Sequence, residues 1–246
     1  MSDRGSKKTG RPTLSRDVIV EAAVQLIDSQ GVASLTMRSL GRALGVEAMA
    51  IYYYVNGRDD LLDAVVEHVV SKARVDPDGT VGPSDGWQGY LQVLAHSVRQ
   101  LSVEHPHAFP LVATRHPAAP WMRPPLRSLD MVEDFLRAML GRGLTEAQAV
   151  HVYRVFTSFL LGHLMLEASV EGAEMAPVEA PLDEGDPREQ PDDQDRAALA
   201  DYPTIRRLEG ALCTHDTEAE FDAALEAVLD RLDIELLRYT SAPEAK

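Results

Sequence analysis

Apolar residues recur at helical spacing along most of the chain, and no sustained alternation of period two is present, so the sequence predicts an all-α protein. Val18/Ile19, Ala22/Ala23 and Leu26/Ile27 mark one face of a helix over 15–30, with Ser15 as its N-cap and Gly31 as its stop. Leu40 and Leu44 mark a second helix of little more than two turns, which begins near Thr36 and ends at Gly45. After the turn Gly45-Val46-Glu47, the stretch Ala48 to Tyr54 predicts another short helix, broken by Asn56-Gly57. Leu61, Leu62, Val65, Val66, Val69 and Val70 then mark a longer helix from Arg58 to about Arg74.

Asp76-Pro77-Asp78-Gly79 and Gly82-Pro83 form a turn-rich linker that places a domain boundary within 75–84. Beyond it the helical period resumes at about 85–104, 107–114, 124–141, 145–170, 202–212 and 217–240. Thr145 and Thr217 are the expected N-caps, with Pro106, Pro117, Pro120, Pro124 and Pro125 as breaks. The chain thus divides into a basic arm over 1–14, a helical unit over 15–74, and a larger helical unit over 84–246. The last of these carries a stretch at about 172–198 with too little apolar content to offset the entropy of ordering, and a mobile loop is expected there.

Composition changes this picture mainly through where the charge lies. The chain has 246 residues, 45% hydrophobic and 26% charged, which suffices for a core in one large or two small domains and excludes overall disorder. A net charge of −15 argues at first against nucleic-acid binding, because Lys and Arg supply most of the non-specific affinity for phosphate. The distribution reverses that. Residues 1–16 carry Arg4, Lys7, Lys8, Arg11 and Arg16 against Asp3 alone, whereas in 171–201 eleven acidic residues face only Arg188 and Arg196.

Cys213 is the only cysteine, so an intramolecular disulfide or a cysteine-based zinc site is excluded. No apolar stretch follows the basic N-terminus, and the most apolar run, Val155 to Leu166, falls short of the roughly 20 residues that span a bilayer. The expectation is a cytoplasmic protein without a membrane partner.

The two short helices around a glycine-containing turn, beside a basic arm, have the outline of a helix-turn-helix. In that motif the first helix crosses the DNA backbone and the second enters the major groove, here from Glu47 to Tyr54. The N-terminal end of the second helix also presents free backbone N–H groups toward phosphate. An ordered set over some fifty positions carries a more specific signal. It comprises Ile19-x-x-Ala22-Ala23-x-x-Leu26-Ile27, Gly31, Leu35-Thr36-x-Arg38-x-Leu40-x-x-x-Leu44-Gly45-Val46, Ile51-Tyr52-Tyr53-Tyr54-Val55 and Leu61-Leu62-Asp63. Ser15 to Val70 thereby resembles the DNA-binding domain of the tetracycline-repressor (TetR) family. Trp87-Gln88-x-Tyr90-Leu91, Thr114-Arg115, Leu161-Gly162 and Tyr202-Pro203 resemble the ligand-binding half of the tetracycline-repressor branch.

The resemblance implies an N-terminal helix-turn-helix domain joined by a connecting helix to a helical ligand-binding and dimerisation domain. The implied function is a transcriptional regulator, a repressor released from a palindromic operator by a small molecule. Thr36 is implied to cap its helix and bond a phosphate, with Met37 and Arg38 touching DNA. Arg38 is the candidate base reader, since Arg can donate two bonds to guanine O6 and N7, with a phosphate contact as the alternative. Ala48, Met49 and Ala50 offer apolar contacts suited to thymine methyls. Tyr52, Tyr53 and Tyr54 match positions that meet phosphate or sugar, although a helix turning about 100° per residue would send one of the three into the core. Arg58 is a further phosphate candidate. Lys7, Lys8 and Arg11 either reach a minor groove or form a solvated tail.

The helices at 145–170 and 217–240 are apolar on more than one face, which requires either a partner or a larger monomeric core. The resemblance implies the former, a four-helix bundle between two subunits through Val152, Phe159, Phe221, Leu225, Val228, Leu232 and Leu236. Pocket candidates are Leu94, Val98, Leu101, Phe109, Leu111, Thr114, Trp121, Met131, Phe135, Phe156, Leu160 and His163. Most double as ordinary core, and for His163 an interface role is the alternative. Leu111, Leu94, Val98 and Arg74 stand where the tetracycline repressor has a metal-chelating histidine, an asparagine, a phenylalanine and another histidine, and Thr114 alone matches. A largely apolar effector without a metal or cofactor follows. A DNA-binding protein without effector is the second reading. An enzyme is the third, for which His105-x-His107, His116 and His163 lack any accompanying nucleophile elbow, phosphate loop or metal-ligand pair.

Overall fold

The structure, a computed structural model, describes residues 14–77, 86–114, 128–170, 201–214 and 216–241. All its regular elements are helices: α1 (Arg16–Gln30), a 3-10 turn (Val32–Ser34), α2 (Met37–Leu44), α3 (Ala48–Ile51), α4 (Arg58–Ser71), α5 (Gly86–Glu104), α6 (Phe109–Thr114), α7 (Leu129–Gly141), α8 (Glu146–Val170), α9 (Pro203–Cys213) and α10 (Thr217–Ser241). No strand occurs among the described residues, and the all-α expectation holds. The arm with Lys7, Lys8 and Arg11, the acidic stretch 172–198, Trp121 and most of the linker lie outside the described residues.

Local chemistry sets the helix ends. The Ser15 hydroxyl accepts from the Val18 N–H and starts α1. Thr36 and Ser39 form a reciprocal capping box at α2, and Gly45 ends α2 in the left-handed conformation at φ 67°. Gly41 has a different reason to be glycine. A Cβ there would lie 2.9 Å from the Val46 carbonyl oxygen, so the turn can fold back on α2 only because position 41 has no side chain. Thr145 and Gln148 cap α8 reciprocally. The cap of α10 is Asp216 rather than the expected Thr217, its carboxylate accepting from the Ala219 N–H at 3.1 Å.

Other boundaries differ from the sequence expectation for physical reasons. The third helix stops at Ile51 instead of Tyr54: Tyr52 to Tyr54 continue as turns, with the Tyr54 and Val55 N–H groups both on the Ile51 carbonyl and the Tyr54 carbonyl held by Arg16. The fourth ends at Ser71, where Lys72 and Ala73 switch to bonds three residues back, tightening the last turn. The sixth begins at Phe109, after a turn closed by Ala108 and Phe109 N–H groups on the His105 carbonyl.

Packing follows the apolar stripes. Ile19, Ala23 and Ile27 of α1 meet Leu40, Ile51, Val55, Leu61 and Val65, all buried, to form the N-terminal core. In the C-terminal half α5, α6, α7 and α10 pack on α8, and Tyr90, Leu91, Phe109, Met139, Phe156, Leu164 and Phe221 fill the space. Helix α4 faces both ways, packing on α1 and also on α5 and α6. The 25-residue helix α8 is, by length and composition, apolar enough to cross a membrane, which counting 155–166 alone did not foresee; here it packs against four other helices.

Candidate nucleic-acid interface and ligand cavity

The helix-turn-helix presents a surface unlike the core beneath it. Arg38, Arg42, Glu47 and Met49 point outward from α2 and α3, and Tyr52, Tyr53 and Tyr54 are all exposed. The expectation that one tyrosine is core is corrected: with α3 ending at Ile51, the inward positions belong to Ile51 and Val55. Met49 at 70% and Tyr53 at 88% exposure are large apolar groups that a monomer in water gains nothing by presenting. Arg38 has no hydrogen-bond or ion-pair partner among the described residues. Met37, Ala48 and Ala50 are half-buried at the edge of the same surface.

Beneath this surface polar groups fix its position. Thr36 spends its hydroxyl on the cap of α2, accepting from the Ser39 N–H at 3.0 Å. Arg58, expected at a phosphate, donates Nε to the Leu35 carbonyl and Nη2 to the Val32 carbonyl, each at 3.0 Å. Its position is explained by holding α4 to the α1–α2 connection. Arg16, counted with the basic arm, donates to the Tyr54 carbonyl at 2.9 Å and to Asp60 at 2.8 Å. Asp60 also accepts from the Asn56 N–H at 2.7 Å. The Arg16 guanidinium first, and this N–H second, hold the Asp60 carboxyl below its usual range. The sequence missed this brace because its members lie up to 44 residues apart.

A cavity of about 60 Å³ lies between α4, α5, α6, α7 and α8. Leu94, Val98, Leu101, Phe109, Met131, Phe135, Phe156 and Leu160, expected from sequence, line it. Val70 and Ala73 of α4, with Val112, Tyr153, Thr157 and Leu161, complete the wall. Among the described residues Tyr153 and Thr157 are the lining residues that carry a side-chain hydroxyl, and burial pushes the Tyr153 phenol up to about 12. Three pocket expectations are corrected. Leu111 is buried outside the cavity wall, and Thr114 is exposed with its hydroxyl on the Pro110 carbonyl. His163 points elsewhere, packing on Phe159 and Phe221. Arg74, just past α4, is committed to Asp134 of α7 at 2.9 Å, and Glu167 to Arg99 at 2.7 Å.

The model of bacterial regulatory proteins, tetR family, matches residues 19–65, and that of the tetracyclin repressor-like C-terminal domain matches residues 81–235. The chain belongs to the TetR family. Among curated relatives, an HTH-type transcriptional regulator of Saccharopolyspora erythraea is 29% identical over 79% of this chain and 75% of its own length. The class D tetracycline repressor of Escherichia coli is 25% identical, with 91% of each chain covered. A possible TetR family transcriptional regulator of Streptomyces coelicolor A3(2) has a solved structure that superposes with a TM-score of 0.67, at 26% identity, over 89% of this chain and 99% of that one. The protein is thus a DNA-binding transcriptional regulator with the TetR fold.

For a TetR-family chain the expected dimer residues are instructive. Val152, Phe221, Leu225, Leu232 and Leu236 are buried inside the protomer, where α10 lies on α8 and α5, so they belong to its core and are unavailable to a second subunit. Phe159 and Val228 remain half-buried. Other apolar positions on these helices are exposed: Leu166 of α8, Ile234 and Leu237 of α10, and Ile205, Leu208 and Leu212 along α9. A stripe in the sequence reports burial without saying in which molecule; periodicity left a larger monomeric core open, and it was the resemblance that implied a second subunit for the first set.

Proposed function

We propose that this TetR-family regulator is a cytoplasmic homodimer, without enzymatic activity, that represses transcription from a palindromic operator. A small, largely apolar and metal-free effector releases it from DNA. The observation that carries the reading is the double role of α4: its N-terminal end holds the helix-turn-helix through Arg58, while Val70 and the following Ala73 line the cavity. Any molecule that enlarges the cavity must move the element on which the DNA-facing surface sits. Linkage then makes DNA and effector mutually exclusive in proportion to that displacement.

The residues read as touching DNA are Thr36, Met37, Arg38, Glu47, Ala48, Met49, Ala50 and Tyr52 to Tyr54, with Arg58 setting the orientation. The apolar wall argues against a magnesium-chelated ligand, because no carboxylate or histidine lines the cavity among the described residues. Exposed apolar residues on α8, α9 and α10 support the dimer, whose two-fold symmetry would match a palindrome.

Selection from a random DNA pool at fixed physiological salt tests this, followed by a screen of apolar compounds for release of the selected duplex. A palindrome whose binding is lost on adding such a compound is expected. Failure of the folded dimer to enrich any sequence overturns the reading. The volume of about 60 Å³, against the roughly 300 Å³ or more of typical ligand sites, favours a regulator without effector as the second reading. Under it, no compound releases the DNA.

A further inference from the structure

The cavity wall and the DNA-binding half touch through a polar contact that neither the apolar wall nor the helix-turn-helix accounts for. His105 follows α5 and opens the turn into α6. Its N–H donates to the carbonyl of Leu101 at 2.9 Å, and its carbonyl accepts from the N–H of Phe109 at 2.8 Å. Leu101 and Phe109 both line the cavity, so the His105 backbone is fastened to the wall on each side. Its side chain reaches across to α1, where Nδ1 lies 2.6 Å from Oδ2 of Asp28. The two side chains are 14% and 23% exposed. The other carboxylate oxygen of Asp28 is buried with no hydrogen-bond partner among the described residues.

Asp28 sits in the last turn of α1, where small displacements have short routes to the DNA-facing helices. The Gly31 N–H bonds to the Ile27 carbonyl at 2.7 Å, and the Ser39 hydroxyl of α2 donates to the Ser34 carbonyl at 2.7 Å. Arg58 holds the same connection through the Val32 and Leu35 carbonyls. A second histidine–carboxylate contact, His68 to Glu21 at 2.8 Å, joins α4 to α1 and so lies wholly within the N-terminal half. Arg74 and Asp134 tie the end of α4 to α7 on the far side of the cavity, with both guanidinium Nε and Nη2 on one carboxylate oxygen.

We infer that the His105–Asp28 contact is a latch that passes the state of the cavity to the helix-turn-helix, with Arg74–Asp134 as the pivot. This deepens, and rests on, the effector-released reading above. Expansion of the cavity displaces Leu101 and Phe109, and His105 moves with them because its backbone is bonded to both. Asp28 then loses its partner. A carboxylate with one buried orphan oxygen is not left stranded, so α1 shifts until water reaches it, and the response is two-state rather than graded.

The test needs no identified effector. Thr157→Met adds apolar volume to the cavity and stands in for occupancy, while His105→Phe removes the latch and keeps a ring in place. Hydrogen exchange of backbone amides over 16–51 is measured in both single variants and in the double variant. Each single substitution is expected to raise exchange over 26–44 by roughly tenfold, with no more than about a further twofold when they are combined, a coupling within the usual range for linked sites. Asp28→Asn should give a smaller rise, and it replaces His105→Phe in the cycle should that variant not fold. Effects that multiply, or no rise in exchange with either substitution, overturn the latch. Binding to selected DNA, measured alongside, separates the two claims: non-additive exchange in a protein that selects no DNA keeps the latch and removes the operator.

Discussion

The two halves of this protein keep their functional groups in opposite places. In α1 to α4 the core is closed around Ile19, Ile27, Leu40 and Ile51, and Arg38, Met49 and Tyr53 stand exposed outside it. In α5 to α10 the partner-seeking surface is inside, as an apolar cavity, and outside as exposed apolar residues that include Leu166, Leu208 and Ile234 on α8, α9 and α10. The first arrangement suits a large polyanion that cannot be enclosed; the second suits a small apolar molecule that must be. Helix α4 is shared by both, and on the proposed reading it is the element through which a change in the inner site would reach the outer one.

Truncation in the two cores should separate them most sharply. Ile51→Ala and Leu160→Ala each remove a buried side chain and should each destabilise by about 2–5 kcal/mol in chemical denaturation. Only Leu160→Ala enlarges an existing cavity, and it alone should gain binding of xenon or benzene, since apolar cavities of roughly 150 Å³ take up such guests. Equal uptake by both variants would erase the distinction between a closed core and a cavity.

On the outer surface, Arg38→Ala should weaken binding to the selected DNA roughly 10- to 100-fold at constant salt, as loss of a bidentate base contact does, with thermal stability unchanged. A loss shared equally by unrelated DNA would instead identify a phosphate contact. Gly41→Ala tests how tightly the outer surface is built. The new Cβ meets the Val46 carbonyl, so a loss of about 1–3 kcal/mol is expected although only one methyl is added.

The smallest effect concerns pH. Burial first, and the charge of Asp134 second, push the Tyr90 phenol up to about 12, as burial does for Tyr153, from an ordinary value of 10.0. A raised folded-state value means that the folded protein holds these protons more tightly. Their contribution is complete below pH 10 and is lost as pH rises from 10 to 12. Denaturant midpoints that begin to fall below pH 9 would contradict this assignment.

The outer half was readable in sequence because its determinants are local. Ser15, Thr36 and Gly45 each act within four residues of where they stand, and the turn chemistry identifies the motif before any packing is considered. The exception is α3, which ends at Ile51 because the end of the motif is held from outside, by Arg16 on the Tyr54 carbonyl. The inner half was readable only as a set of apolar positions. Eight of the positions expected that way line the cavity, whereas Val70 and Ala73, which also line it, were not among them, since α4 and the turn after it belong by sequence to the DNA-binding unit. For His163 the sequence left a cavity contact and an interface role both open, because Phe221, the ring that packs against it, is distant in sequence. The same distance hid Phe221 and Leu232, whose stripe is satisfied within the protomer.

The central claim is that cavity and DNA-facing surface share one equilibrium. The dissociation constant of the selected DNA, measured for the wild-type protein and for Thr157→Met at the same salt concentration, tests it most directly. The account predicts binding weaker by roughly tenfold when the cavity is filled, in a protein that remains folded and dimeric. Identical affinity in the two proteins, with the introduced side chain shown to occupy the cavity, would contradict it.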